Sequence, residues 1–569
     1  MSNLVPPADV EAIAAQIETA PGIERLRELL GPDADAGPET LRAVLEEAAK
    51  FSAAWLAPLN PLMDRESCRL EGGRVRTAKG HAEAWRAYVE AGWPGIDQPP
   101  ELGGADLPLV ALAACTEIFD RGSVAFGMLP TGLRAGARLI AAYGDEALQA
   151  EWLPKLVSGE WVATICISEA DAGSDAGRIR TLAERDGNHG WRITGEKMWI
   201  SYGDHDLSPR IGHCLLARTP GAAAGGAGLS LFLVPDSIEG ERNSIVIRRL
   251  EEKLGLHGSP TCAMGFEGAR GHLIGAEGRG LAQLFTMIAQ MRLMVSVQGL
   301  TIAGGAADVA LAYAEERRQG GRPDAPPVPI VEHPDVQRML AEMTSRVTVV
   351  RGLVLAAAVQ ADLSRLETDA DARAEAAAMA GWLLPIAKTY ASETGFEVAS
   401  EAIQVLGGAG YVKEWPVEQA LRDSRVFAIF EGTSGIQALD LLHRRLRREE
   451  GRGLQAFLKL ARMDVAAGGE GAGDLSAVLD MLESSARELA ADPGAEAGAY
   501  AMLELGALAA TGWAALRLSR QEDSGAGARL AAAGRWWLTG LKAKAELRRS
   551  EIALGADRLQ LFQALRRAH

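Results

Sequence analysis

Residues 161–175 read WVATICISEADAGSD, and the texture of the chain changes there. The segment WVATICISE is rich in β-branched residues and alternates at period two, the pattern of a strand rather than a helix. On that strand Thr164, Cys166 and Ser168 share one face, and Ile165 and Ile167 share the other. The strand then runs into Ala172, Gly173 and Ser174. Small residues let backbone N–H groups approach a phosphate, and the serine adds a hydroxyl donor. A plain turn between strands explains the same residues.

Working outward, HGWRITG, KMWISYG, HCLLART, LSLFLVP and NSIVIRRL repeat the strand pattern between Gly- and Asp-rich turns. A β domain is therefore expected over 161–275. Upstream, 8–30 and 38–57 read as helices, the second opened by the start signal GPETL. Helical character continues to about 155, broken by loops such as GWPGIDQPPELGG. From 279 long apolar stretches at three-to-four spacing return, with a proline-rich loop at 321–335, and the pattern is that of a helical bundle. The stretch AAGGEGAGD (466–474) reads as a linker to further amphipathic helices. The expected fold is mostly α with a central β domain: an N-terminal helical domain (1–160), a middle β domain (161–275), a four-helix-bundle-like domain (276–445) and an additional helical domain (446–569).

The 569 residues exceed a single core, in keeping with roughly three or four domains. Apolar residues make up 48% and charged residues 24%, a globular balance. A net charge of −16 argues against general nucleic-acid or anionic-membrane binding. No uninterrupted apolar run reaches the ~18 residues of a membrane span, so none is expected. The start, MSNLVPPADVEAIAAQ, lacks the basic and apolar regions of a signal peptide. Five dispersed cysteines with no zinc-type spacing read as reduced thiols, and a cytoplasmic location and no metal site are expected.

Four further stretches can carry chemistry. In GEKMWISYG (195–203) Trp199 and Ser201 face one way on a strand, where an indole can pack on a flat heteroaromatic ring and a hydroxyl can bond its edge. A core tryptophan beside a chance serine explains the same residues. In AIQVLGGAGY (402–411) Gly407 and Gly408 end a helix one turn after Gln404, either as ordinary capping or to let backbone meet a ligand. In ERRQGGRP (316–323) Arg317, Arg318 and Arg322 are a pyrophosphate clamp or a solvated helix end. In VFAIFEGTSGIQ (426–437) Glu431 ends an apolar run just before a helix that Thr433 or Ser434 can cap. The helix dipole there favours the carboxylate and the apolar run favours the neutral acid, so Glu431 is a capping-region carboxylate or a desolvated base.

Taken together and in this order, CISEADAGSD, GEKMWIS, ERRQGGR, AIQVLGGAGY and RDSRVFAIFEGTSGIQ resemble the acyl-CoA dehydrogenase family of flavoproteins over at least 85–440. The stretches GWPGIDQPPELGG, ERRQGGRP, IVEHPDVQRML and EGTSGIQALDLL, with the long helical tail, are similar to its 3-methylmercaptopropionyl-CoA and broad-specificity fatty acyl-CoA branch.

The resemblance implies FAD-dependent α,β-dehydrogenation of an acyl-CoA to the trans-2-enoyl-CoA. Glu431 would be the base, with hydride transfer to flavin N5 and electrons passed on to an electron-transfer flavoprotein. It also implies FAD contacts. Ile165, Ile167 and Ser168 would meet the flavin's pyrimidine side, and Gly173 and Ser174 the pyrophosphate. Trp199 would pack on the ring and Ser201 would reach N5. Arg317, Gln404, Gly407 and Gly408 would meet the ADP half of FAD bound mainly by a neighbouring subunit, and Thr433 the adenine side. A shared cofactor site implies a homo-oligomer, a dimer or tetramer. Phe430, which stands where relatives carry tyrosine, and Phe126, Leu129 and Thr131 are the candidate acyl-pocket residues. Ala170 and Asp171 replace a usual Pro-Gly pair, and Gly435 replaces a glutamine near the adenine. Two alternatives share the scaffold: an acyl-CoA oxidase using O₂, and a DNA-associated relative. The second rests on the basic tail, with Lys542, Lys544, Arg548, Arg549, Arg558, Arg566 and Arg567. That tail also reads as an amphipathic helix packed on another helix.

Overall fold

The computed structural model describes residues 5–31, 37–187, 190–521 and 525–567. The N-terminal helices are α1 (Val10–Glu18), α2 (Ile23–Leu30), α3 (Pro38–Phe51) and α4 (Ala57–Glu66). The Asp9 side chain caps α1 by accepting from the Ala12 N–H at 3.0 Å. A π-helical turn, Ser52–Leu56, carries α3 into α4, so the helical region expected over 38–57 extends to Glu66. A hairpin follows, β1 (Arg69–Glu71) and β2 (Arg74–Arg76), inside the region read as helical. Gly72 and Gly73, at φ +58° and +76°, give the two left-handed positions that a two-residue hairpin turn requires. Then come α5 (His81–Glu90), α6 (Leu109–Tyr143) and α7 (Glu146–Ser158). The long α6 kinks at Ser123, whose φ/ψ of −163°/105° are extended.

The middle region contains β3 (Val162–Cys166), β4 (Leu182–Arg185), β5 (Trp191–Ser201), β6 (Ile211–Arg218), β7 (Leu229–Pro235), a short β8–β9 pair (Ser237–Ile238, Glu241–Arg242), β10 (Ile245–Leu250) and β11 (Thr261–Ile274). The sheet order is β10-β11-β5-β4-β6-β3, and β7 pairs with both β11 and β6. Strands β11, β5, β4, β6 and β7 thus close a ring, and β10 and β3 are each paired on one side of it. β3 pairs in parallel with β6, and almost every residue of both is buried, as parallel strands require. The two segments expected as separate strands, HGWRITG and KMWISYG, form the single β5; its first residue in that reading, His189, lies outside the described residues.

The remaining helices are α8 (Gly280–Glu316), α9 (Pro334–Leu366), α10 (Ala370–Leu406), α11 (Val417–Ser424), α12 (Ser434–Leu439), α13 (Arg452–Ala466), α14 (Ala472–Ala491), α15 (Ala499–Leu518) and α16 (Gly525–Arg567). The stretch expected as a linker is a tight turn between α13 and α14, with Gly468 and Gly471 at φ +79° and +80°. Gly299 lets α8 and α10 meet backbone to backbone: a Cβ there would stand 2.3 Å from the Ala391 carbonyl oxygen. Three helices, 280–316, 334–366 and 495–518, are long and apolar enough by length and composition to cross a membrane, contrary to the sequence expectation. Their most apolar windows are 83–89% buried inside the protein. Polar residues interrupt the apolar runs, and some find partners in the core, as Thr301 does by donating to the Glu117 carbonyl at 3.3 Å.

The basic tail packs on the protein as α16, against α15, α14 and α9. Lys544 pairs with Glu342 at 2.8 Å, Arg548 with Glu504 and Glu551 at 3.1 and 2.7 Å, and Arg549 with Glu488 at 2.6 Å. These cations are matched by carboxylates of neighbouring helices, which favours the packing reading of the tail; the side chain of Arg567 lies outside the described residues.

Candidate active site

The loop between α11 and α12 is built around Glu431. Residues Arg425–Ala428 form a 3₁₀ turn, and both Ile429 and Phe430 N–H groups donate to the Val426 carbonyl. Glu431 and Gly432 then sit in the left-handed region at φ +52° and +87°. A left-handed non-glycine residue costs roughly 1–2 kcal/mol, so the surrounding contacts must impose it. They are explicit. The Gln437 amide donates to the Glu431 and Gly432 carbonyls at 3.1 and 3.3 Å. Lys388 Nζ, on α10, donates to the Gly432 carbonyl at 2.7 Å. Ser434 Oγ donates to Glu393 Oε1 at 2.6 Å, and Thr433 Oγ1 caps α12 by accepting from the Ile436 N–H at 3.3 Å. Phe430 stacks on Phe427, ring centres 5.8 Å apart, and forms part of the apolar strip before the acid.

Glu431 is half-buried and enclosed by protein on its other sides. Burial pushes its carboxyl above the ordinary range, while the positive charges of Lys388 and Arg292 oppose that rise. Arg292, on α8, is itself held by Asp440 at 2.6 Å. The result is a carboxylate whose basicity is raised by its surroundings but whose ionised form is supported by two cations, the condition required of a general base.

The second cluster lies where β3 leaves the sheet beside β5. Ile165, Ile167 and Ser168 are half-buried, and Gly173 and Ser174 are exposed. Lys197, fully buried, donates to the Ile167 carbonyl at 3.0 Å and to Glu169 Oε1 at 2.9 Å. Glu169 also accepts from the Arg180 and Thr181 N–H groups at 2.7 and 3.0 Å. Burial raises the Glu169 carboxyl, but Lys197 and these donors outweigh it and hold it below the ordinary range. The Met198 N–H closes the cluster by donating to the Ser168 carbonyl at 2.9 Å.

Trp199 is not on a regular strand. Cys262 pairs with Ile200 and Met264 with Lys197, so Met198 and Trp199 stand against the single residue Ala263. This bulge puts Trp199 at φ +63° and leaves its indole 58% exposed, with Ser201 half-buried beyond inward-facing Ile200. An exposed indole, two half-buried isoleucines, two hydroxyls and an open glycine loop suit a planar heteroaromatic ring with a polar edge and an attached phosphate. These residues fit FAD.

The third group is at the end of the bundle. Gly299 against Ala391, and Tyr313 edge-on to Trp415 at 5.0 Å, show α8 and α10 running parallel, so Arg317 and Gln404–Gly408 lie at the same end. Gln404, Gly407 and Gly408 are exposed, no atom lies within 4 Å of a Cβ built on either glycine, and Tyr411 beside them is 84% exposed. Gly407 also caps α10, its N–H donating to the Gln404 and Ile403 carbonyls. Of the other two arginines singled out, Arg322 pairs with Asp324 at 2.9 Å and Arg318 reaches the Pro327 carbonyl at 3.5 Å.

Phe126, Leu129 and Thr131 are buried on α6. Phe126 packs among His81, Trp85 and Tyr88 at ring distances of 5.5–6.0 Å, and Thr131 donates to the Gly127 carbonyl at 2.8 Å. Lys388, Arg292, Gln437, Glu393, Lys197 and Glu169 belong to these clusters and escaped the sequence reading. The available signal was a single charge inside an apolar stretch, as in GWLLPIAKTYAS for Lys388, since lysine is almost never fully buried without a partner.

The N-terminal, middle and C-terminal domain descriptions of acyl-CoA dehydrogenases match residues 38–160, 164–269 and 278–446. A 3-methylmercaptopropionyl-CoA dehydrogenase of Ruegeria pomeroyi is 39% identical over 83% of this chain and 84% of its own length. A broad-specificity linear acyl-CoA dehydrogenase, FadE5, of Mycobacterium tuberculosis is 32% identical over 74% of this chain and 72% of its own. An acyl-CoA dehydrogenase of Bacillus anthracis solved with FAD shares the fold at a TM-score of 0.78, with 20% identity over 99% of this chain and 94% of that one. The chain belongs to the acyl-CoA dehydrogenase family, a family of oxidoreductases that dehydrogenate acyl-CoA thioesters.

Proposed function

We propose that this protein converts an acyl-CoA to the trans-2-enoyl-CoA with FAD as cofactor, Glu431 as base and an electron-transfer flavoprotein as acceptor. The observation that carries the reading is Glu431 itself: a carboxylate in a strained left-handed turn, enclosed by protein and faced by two cations. Ile165, Ile167, Ser168, Trp199 and Ser201 would hold the flavin and Gly173 and Ser174 its pyrophosphate. Arg317, Gln404, Gly407 and Gly408 would meet the ADP half across a subunit boundary, with Thr433 on the adenine side. Their exposure at the bundle end is consistent with a homo-oligomer.

Bound FAD supplies the two-electron acceptor that takes the β-hydrogen as hydride. Glu431 removes the α-proton as charge builds on the thioester carbonyl. The Glu431 N–H donates to no group among the described residues and is available to that carbonyl. Entry of the acyl chain expels water from the open side of the carboxylate and strengthens it as a base. Phe430, in place of a tyrosine, leaves that wall of the acyl pocket without a hydroxyl. Similarity to the Ruegeria and Mycobacterium enzymes supports straight-chain and 3-methylmercapto acyl groups as substrates.

The test is anaerobic reduction of the bound flavin by a panel of acyl-CoAs that includes 3-methylmercaptopropionyl-CoA, followed by re-oxidation by an electron-transfer flavoprotein or by O₂. Substrate-dependent bleaching with slow peroxide release is expected; rapid stoichiometric peroxide would instead make the protein an oxidase. Lys197→Met bears on the cofactor site separately. Removing one partner of a buried pair costs about 3–5 kcal/mol, and here it also frees the Ile167 carbonyl and the 167–169 backbone. The variant is expected to elute from gel filtration with a reduced flavin-to-protein ratio, and full FAD retention would contradict the assignment of that loop.

A further inference from the structure

Lys388 is a buried cation with no carboxylate in direct contact among the described residues, though the charges of Glu431 and Glu393 reach it. It is 0% exposed, and among the described residues the partner of its Nζ is a backbone carbonyl and not a carboxylate. Burying an ammonium group unpaired is costly, and methionine would fill the same space without that cost. Burial pulls its pKa down to about 8, against the support of the Glu431 and Glu393 charges. Its ammonium group donates across the fold to the carbonyl of Gly432, the residue after Glu431. Ser392 Oγ, one helical turn on, donates back to the Lys388 carbonyl at 2.6 Å, and Glu393 accepts from Ser434 on the far side of the loop. Helix α10 therefore grips the Glu431 turn at two points, and Lys388 is the one that carries positive charge.

We propose that Lys388 is a positioning residue for the base: its hydrogen bond to Gly432 locks the left-handed turn, and its charge holds Glu431 in the ionised form. The inference rests on the reading of Glu431 as the base. The groups that face Glu431 are few. From α10 there is Lys388, which also feels the charge of Glu393, a carboxylate engaged by Ser434; from α8 there is Arg292, whose charge is shared with Asp440. Arg292 has Asp440 in direct ion-pair contact, whereas among the described residues no carboxylate stands that close to Lys388, and Lys388 is the larger of the two positive influences on Glu431. The sign follows directly. A nearby cation lowers a carboxyl pKa, so its loss must raise the pKa of Glu431 and move the acid limb of kcat/KM, set by the free enzyme, to higher pH.

The experiment compares wild type, Lys388→Met, Lys388→Arg and Glu431→Gln as FAD-loaded proteins, with the pH dependence of anaerobic flavin reduction as readout. Lys388→Met is expected to keep its flavin, to lose roughly 10–10² in kcat/KM through the loosened turn and to shift the acid limb upward by about one unit. Lys388→Arg restores the charge and should return the limb toward wild type even where the longer side chain keeps the rate low. A Lys388→Met limb that coincides with wild type overturns the proposal, whatever the rate. If Lys388→Met does not fold, an upward limb shift in Lys388→Arg together with loss of rate equal to that of Glu431→Gln overturns it as well. Full turnover in Glu431→Gln would instead overturn the assignment of the base.

Discussion

Replacing Glu431 by glutamine is expected to leave a yellow, folded protein that reduces its flavin with acyl-CoA about 10²–10⁴-fold more slowly or not at all. The substitution keeps the shape of the side chain and replaces the basic, negatively charged carboxylate by a neutral amide. The loop should be preserved, because what holds it acts on backbone carbonyls: Gln437 on Glu431 and Gly432, and Lys388 on Gly432. FAD retention should be unchanged, because the residues proposed to hold the flavin ring lie on β3, β5 and the loop between β3 and β4. Acyl-CoA should still bind, since neither the carbonyl donor N–H nor the apolar wall at Phe430 is altered. The expected signature is a fall in the reduction rate with little change in the substrate concentration needed for half-saturation, measured by stopped-flow mixing in the absence of O₂.

Replacing Arg351 by methionine is expected to destabilise the protein by about 3–5 kcal/mol without touching the chemistry. Arg351 on α9 makes a bidentate pair with Glu117 on α6, at 2.7 and 3.0 Å, and donates to Gln16 on α1 at 2.7 Å. Gln16 in turn donates to the Thr348 carbonyl at 2.8 Å. Both charged side chains are nearly inaccessible, 9% and 2% exposed, so the variant strands an anion in the core. The double replacement Glu117→Leu, Arg351→Met removes both charges and should recover much of the loss, because the pair's desolvation cost then disappears with its attraction. Denaturant midpoints of the three variants, read alongside turnover per folded molecule, separate this from an effect on the active site.

Much of the fold was legible because it rests on local periodicity. The switch from helical to two-residue spacing at 161 corresponds to β3 starting at Val162, three residues after the cap of α7 at Gly159. What escaped reading depends on contacts between segments far apart in sequence. The bulge at Trp199 is set by the register of β5 against β11, which single-strand periodicity does not carry. The β1–β2 hairpin was hidden because its strands are only three residues long, too short for a pattern to emerge. The three membrane-length helices look interrupted in sequence because buried polar residues break them, and only the folded core shows groups such as Thr301 and Arg351 partnered.

The site shows the same division. Glu431 and Thr433 could be placed from the local stretch, one as an acid before a helix and the other as its cap. Lys388 lies 43 residues earlier and Arg292 139 residues earlier, and no local rule connects them to Glu431. Their contribution is electrostatic and arises from the close approach of α8 and α10 at Gly299. The ambiguity left by the sequence, helix dipole against apolar surroundings, falls on the side of desolvation. Burial pushes the carboxyl up and two cations from other helices hold it back.

The most direct test is the rate of anaerobic flavin reduction by an acyl-CoA, measured side by side for the wild-type protein and Glu431→Gln at equal FAD content. The account predicts rapid bleaching with formation of one 2-enoyl-CoA per flavin in the wild type, and bleaching slower by orders of magnitude in the variant. Equal rates in the two proteins would contradict it.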